Sequence, residues 1–260
     1  MAPDGDKKSY LALAVLSPFA ILFVWTLVTS QGAVPATLLP GPLAVATTMW
    51  DMVQTGYSGI SIWTHIGASL ARVGVAFVFG SLLGIAIGLM RGRIRAVDAL
   101  FLVPSEILRP IPPLGLIPLF ILWFGIGEVS KTVLIFMFVL LIMMVSAQAG
   151  ANAVGLDTLR AAQSMGANRW QVFRFVVLPS ALPQIMTGLR VSMGTGLTIL
   201  VASELLGGDR GLGFVILDAS SFFRTTYVFA GVIIIGLIGL ISDRAIAYAA
   251  RHFVHWEGRR

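Results

Sequence analysis

The chain has 260 residues, of which 57% are hydrophobic and only 12% charged, and its mean hydropathy is +0.90. Soluble domains carry about 25% charged residues, so this composition excludes a water-solvated globule and predicts a membrane protein. The net charge of +6 sits in loops between apolar runs, which argues against a nucleic-acid partner, and the lack of cysteine excludes disulfides, thiolate metal sites and thiol nucleophiles.

A helix needs roughly 20 mostly apolar residues to cross about 30 Å of hydrocarbon. Six segments qualify, at 11–29, 66–90, 97–123, 132–149, 183–205 and 227–249. All must be helical, because lipid leaves open backbone without a partner. The expected fold class is therefore all-α, a polytopic membrane protein with six transmembrane helices. Residues 1–10 form a polar N-terminus. The span at 11–29 is read as retained, since it is long for a signal sequence, contains Pro18 and is followed by no convincing cleavage pattern.

Residues 30–64 form the longest segment between spans. They are rich in Pro and Gly, and from 31 to 64 hold no Lys or Arg. Pro42 opens an expected interfacial helix reaching Gln54, with Leu43, Ala46, Met49 and Val53 on one face. Residues 65–250 hold a core of five spans, interrupted by a basic loop at 150–180. In the first of these, Gly80, Gly84 and Gly88 fall on one helix face, where small residues let backbones approach closely. Arg72 and Arg190 lie within spans near predicted helix ends, within reach of snorkelling. Arg72 is the deeper, and the sequence names no partner for it.

The third span is expected to be broken or kinked, because Pro110, Pro112, Pro113 and Pro118 fall within nine residues. Irregular backbone at membrane depth is tolerated only against protein or a watery cavity. Glu106 and Arg109, three apart, can pair with each other or serve in gating or anion contact. Residues 125–132, GIGEVSKT, approach a phosphate-binding loop, but Ser130 replaces its second glycine and the segment is a short turn between spans. Glu204, at the end of the fifth span, either lines an outer mouth or marks the membrane interface. The glycine-rich run 207–213 reads as a re-entrant or surface loop facing an outer partner. In the tail, 251–260, His252 and His255 lack a third ligand, so no metal site is expected, and the basic residues suit a lipid surface.

Lys and Arg fix the expected orientation. With the N-terminus in the cytoplasm, the inner side holds eleven of them, including Lys7, Arg93, Arg160, Arg169 and Arg251, against three outside. The loop at 150–180 then faces the cytoplasm.

Within that loop, RAAQSMGANRWQVFRFVVLP places Ala161 and Ala162 ahead of Gly166, which follows Ala162 by four residues, and Val176, Leu178 and Pro179 after a further gap of nine. This spacing resembles the EAA loop of ABC importer permeases, with Arg160 standing where the motif has glutamate. The runs RPIPPLGLIPLFILWFGIGEVSK, ALPQIMTGLRVSMG and ASELLGGDRGLGF, with His255, Trp256, Glu257 and Gly258 at the end, are similar to the nitrate, sulfonate and taurine branch of that family. The resemblance implies a type I importer transmembrane domain in a bacterial inner membrane, importing taurine, another alkanesulfonate or nitrate. It implies a homodimer, two cytoplasmic ATP-binding subunits that use ATP and Mg, and a periplasmic or lipid-anchored binding protein. It assigns Arg160, Ala161, Ala162, Gly166, Ala167, Arg169, Val176, Leu178 and Pro179 to the ATPase-docking loop, a short helix, a turn and a second short helix. Glu106, Arg109, Pro110, Pro113 and Glu204 are the candidates for the path or its gate. The rival readings are a channel acting without an ATPase and a membrane-embedded enzyme. The enzyme is disfavoured, because no nucleophile with a base, carboxylate pair or metal cluster appears in the sequence.

Overall fold

The computed structural model describes residues 4–205 and 207–254. In chain order it contains α1 (Asp4–Ser30), α2 (Pro42–Thr55), α3 (Ile62–Arg91), α4 (Arg95–Leu108), α5 (Pro113–Phe124), α6 (Glu128–Asn152), α7 (Leu156–Ser164), α8 (Arg169–Val172), a π-helical turn (Phe173–Val177), α9 (Leu178–Leu205), α10 (Leu212–Ser221) and α11 (Thr225–Phe253). Among the described residues, five helical segments are long and apolar enough to cross a membrane, and the bent pair α4–α5 makes a sixth. The all-α, polytopic expectation holds.

Several boundaries move outward. The segment expected at 183–205 begins at Leu178 and is continuous with α8 through the π turn. That turn ends at Val177, two residues before Pro179, whose nitrogen cannot donate to the preceding turn, so the helical register changes where a regular bond is unavailable. The span at 97–123 is broken, its halves meeting at 104°. Arg109 to Pro112 separate them, and Pro113 takes the first position of α5, where a missing N–H costs nothing. Helix α10 is absent from the sequence reading, being too short to register as a span.

The chain divides into two compact units. One comprises residues 65–214 and 234–260. Its core brings α6 against α9, with Ile135, Met143, Ala147 and Ala181 fully buried. The glycines of α3 sit directly on α6: a Cβ on Gly80 would lie 2.9 Å from Val139 Cγ1, on Gly84 2.7 Å from Met143 Cβ, and on Gly88 2.8 Å from Ala147 Cβ. Close helix packing is therefore what this stripe does. At the α3–α4 turn Arg91 pairs with Asp98 at 3.0 Å. Arg190 does not snorkel toward an interface; its guanidinium turns onto Asp243 of α11.

The other unit comprises residues 1–64 and 215–233. Trp25 donates to the Pro40 carbonyl at 3.0 Å and packs on Phe229, and the Tyr57 hydroxyl donates to Asp218 at 2.7 Å. Helix α2 forms where expected and buries Val45, Thr48 and Met52, while Leu43, Ala46 and Val53 of the expected face are exposed. His255 and the residues after it lie outside the described residues.

Candidate functional site

Residues 156–179 fold as a helix, a turn and a second helix. Helix α7 ends at Ser164, and Gly166 just beyond its cap has a φ of +83° that only glycine adopts without strain. The Gly166 N–H donates to the Gln163 carbonyl and the Ala167 N–H to the Ala162 carbonyl, the paired bonds of a Schellman cap. Asn168 then starts α8: its side chain accepts from the Gln171 N–H at 2.9 Å, and the Gln171 side chain accepts from the Asn168 N–H at 2.8 Å. Two caps back to back make a rigid corner.

That corner has two faces. Ala162, Ala167, Val172, Val176 and Leu178 sit on or against the buried core of their unit. On the other side Met165 is 81% and Trp170 63% exposed, beside the exposed Arg160, Arg169 and Arg174. Among the described residues Arg160 makes only a long contact with Asp157, at 3.8 Å between exposed side chains. An exposed apolar patch rimmed by cations has the character of an interaction surface. Ala161 and Pro179 complete the segment, Ala161 exposed and Pro179 half-buried in the first turn of α9.

The break between α4 and α5 gathers a second group. Glu106 and Arg109 pair at 3.3 Å with both side chains more than half exposed, so the pair is a weak one. Arg109 also lines an open cleft of about 590 Å³ with Phe138, Leu141 and Ser146 of α6. Pro110 lies in the break itself and Pro113 opens α5.

Glu204 belongs to neither group. It is 1% exposed, so it neither lines an open mouth nor marks a wet interface. Arg72 donates to it and, with its other nitrogens, to Glu128, the latter at 2.6 Å for one bond. Arg72 is thus paired twice and 4% exposed, rather than snorkelling. Ser69 donates to Glu204 at 2.8 Å and accepts from the Leu212 N–H at 2.9 Å, Gly213 N–H donates to Glu204 at 2.8 Å, and Gly211 N–H donates to His65 Nδ1 at 3.2 Å. The backbone at 211–213 is therefore pinned to buried side chains, and only Asp209 and Arg210 of the run extend well exposed side chains. Glu128 and the buried partners of Arg72 went unforeseen. A signal existed: α3 has 30 residues, about 45 Å at 1.5 Å each, which exceeds the hydrocarbon and leaves Arg72 level with Glu128 and Glu204 at the ends of their helices.

Residues 78–255 match the family model described as the binding-protein-dependent transport system inner membrane component. This chain is an ABC importer permease. The taurine transport system permease protein of Escherichia coli K12 is 36% identical to it over 97% of this chain and 92% of that protein. A Bacillus subtilis 168 protein named for aliphatic sulfonate transport is 33% identical over 97% and 90%, and the bicarbonate transport system permease protein of Synechococcus elongatus 29% over 96% and 93%. Among solved structures, the MetNI methionine ABC transporter in an inward-facing conformation aligns with a TM-score of 0.59 at 19% identity, covering 80% of this chain and 98% of that one, which establishes the fold. The permease is a non-catalytic, multi-pass inner-membrane subunit of a transporter whose ATP hydrolysis resides in other subunits.

Proposed function

We propose that the permease imports a small sulfonate, with taurine as the first candidate. The observation that carries this reading is 36% identity, spread over 97% of the chain, to a taurine permease. The sulfonate-named relative from Bacillus subtilis supports the same class. In this reading two copies of the chain enclose the path, a binding protein delivers the anion on the outer side, and the N-terminus is cytoplasmic beside two ATPase subunits that bind ATP and Mg.

The ATPases dock on the corner formed by Arg160, Ala161, Ala162, Gly166, Ala167, Arg169, Val176, Leu178 and Pro179. Its rigidity suits it to transmit force, because α8, the π turn and α9 are one continuous helical segment. ATP-driven closure displaces the exposed Met165–Trp170 face, α9 follows, and the far end of α9 carries Glu204 and its bonds to Arg72 with it. The ATPase biases this equilibrium only by binding one arrangement more tightly than the other. The break holding Pro110 and Pro113 supplies the bend in the path wall, with Glu106 and Arg109 beside it.

The bicarbonate-permease relative favours a second reading, import of another small anion such as bicarbonate or nitrate. Uptake of labelled taurine, ethanesulfonate, bicarbonate and nitrate into vesicles holding the complete transporter separates them. Sulfonate-selective, ATP-dependent uptake is expected, and uptake of bicarbonate or nitrate alone would reject the sulfonate assignment.

A further inference from the structure

Arg190 on α9 and Asp243 on α11 form a two-point ion pair, Nε to Oδ1 at 2.7 Å and Nη2 to Oδ2 at 3.0 Å. Both helices cross the membrane, yet the two side chains are 49% and 37% exposed. Arg190 stands twelve residues from the start of α9 and Asp243 ten from the end of α11, about 18 and 15 Å along the helices from the ends nearest the docking corner. An ion pair on membrane-spanning helices is costly where it meets hydrocarbon, and intramembrane charges face protein or water. Arginine alone can reach an interface, but aspartate is too short to do so, and Arg190 is turned onto it. Beside the pair, Thr187, Arg190 and Arg251 line a cleft of about 640 Å³. Among the described residues no carboxylate pairs with Arg251, so within them the cleft and the Asp243 beside it bring together two cations and one carboxylate.

We propose that this cleft opens onto the aqueous path and receives the oxyanion head of the transported ligand at its inner end. Arg251 and Arg190 supply the donors, since guanidinium matches the fork of an oxyanion, and Asp243 fixes the orientation of Arg190. The inference rests on the import reading given above. It moves the anion contact from the break at Arg109 to the α9–α11 cleft.

The chain has no cysteine, so Thr187→Cys introduces the sole thiol of the permease. In the complete transporter, with any native cysteines of its other subunits removed, in phosphatidylcholine vesicles, this thiol should be modified by the charged reagent methanethiosulfonate ethylsulfonate applied from the cytoplasmic side. Taurine or ethanesulfonate should slow the modification several-fold, and Arg190→Gln should abolish that protection while leaving modification itself intact. Absence of modification in every nucleotide state would place the face in lipid and overturn the proposal. Oxidative cross-linking of Thr187→Cys between copies would put a second chain over the cleft, and protection appearing only with phosphatidylglycerol would assign the oxyanion to a lipid headgroup; either result overturns it. If the charge exchange Arg190→Asp with Asp243→Arg restores protection, the pair is a structural staple and the binding role fails. Where ATP hydrolysis answers no sulfonate, the substrate reading fails by itself, and the cleft is then tested with bicarbonate and nitrate, protection by neither overturning it.

Discussion

Arg72 and Glu204 meet with side chains 3% and 0% exposed, and the second carboxylate on Arg72, that of Glu128, is 65% exposed. The two halves of this bridge therefore differ in worth. Removing one partner of a buried pair strands the other, at a cost of about 3–5 kcal/mol, whereas exposed pairs contribute about 1 kcal/mol or less. Arg72→Met is expected to lower the melting midpoint of the purified permease sharply and Glu128→Gln only slightly. Equal effects would mean that the Glu204 side of the bridge is not the stabilising one.

The glycine stripe of α3 makes a steric prediction. Gly88→Val places branched carbon where even a Cβ would collide with the Met144 backbone and Ala147. Overpacking of this kind costs about 1–3 kcal/mol or more, read as a drop in melting midpoint or loss of folded protein. Gly194 has nothing within 4 Å of an added Cβ, and Gly194→Ala should leave the midpoint unchanged or raise it.

At the 156–179 corner, space is not the constraint. Gly166 has open surroundings, but its φ of +83° strains any branched residue, by about 1–3 kcal/mol, and favours a different turn. Gly166→Val is expected to leave the spans folded while ATP hydrolysis stops responding to the loaded binding protein. Normal stimulation together with normal uptake would remove the corner from the coupling route.

Tyr57, outside the membrane-spanning segments, gives a pH dependence. Burial, then the bond to Asp218, holds its phenol well above the ordinary tyrosine value. An unfolded tyrosine ionises near pH 10, by about the reference value. The contribution of Tyr57 is therefore whole below that pH and is lost as pH rises above it, because the unfolded chain releases a proton that the folded one retains. Melting midpoints followed from pH 8 to 11 should fall less steeply for Tyr57→Phe than for the parent chain.

The helices and the helix–turn–helix corner at 156–179 were legible because their signals are local: apolar length for the spans, prolines for the break, and the spacing of Ala162, Gly166 and Pro179 for the corner. The Arg72 bridge was not, since its carboxylates lie 56 and 132 residues away. Their meeting depends on the relative lengths of three helices. Glu204 was misplaced for the same reason: a carboxylate at the end of an apolar run looks solvent-facing until the Gly211–Gly213 backbone is seen to close over it. Arg190 and Asp243 are likewise joined across 53 residues, by packing that no spacing announces.

The central claim is that this permease couples sulfonate entry to a partner ATPase through the 156–179 corner. ATP hydrolysis by the complete transporter with its binding protein, measured with taurine, ethanesulfonate, bicarbonate, nitrate or no ligand, tests it most directly. The account predicts several-fold stimulation by a sulfonate, absent in Gly166→Val. Stimulation by bicarbonate or nitrate instead, or stimulation that survives in Gly166→Val, would contradict it.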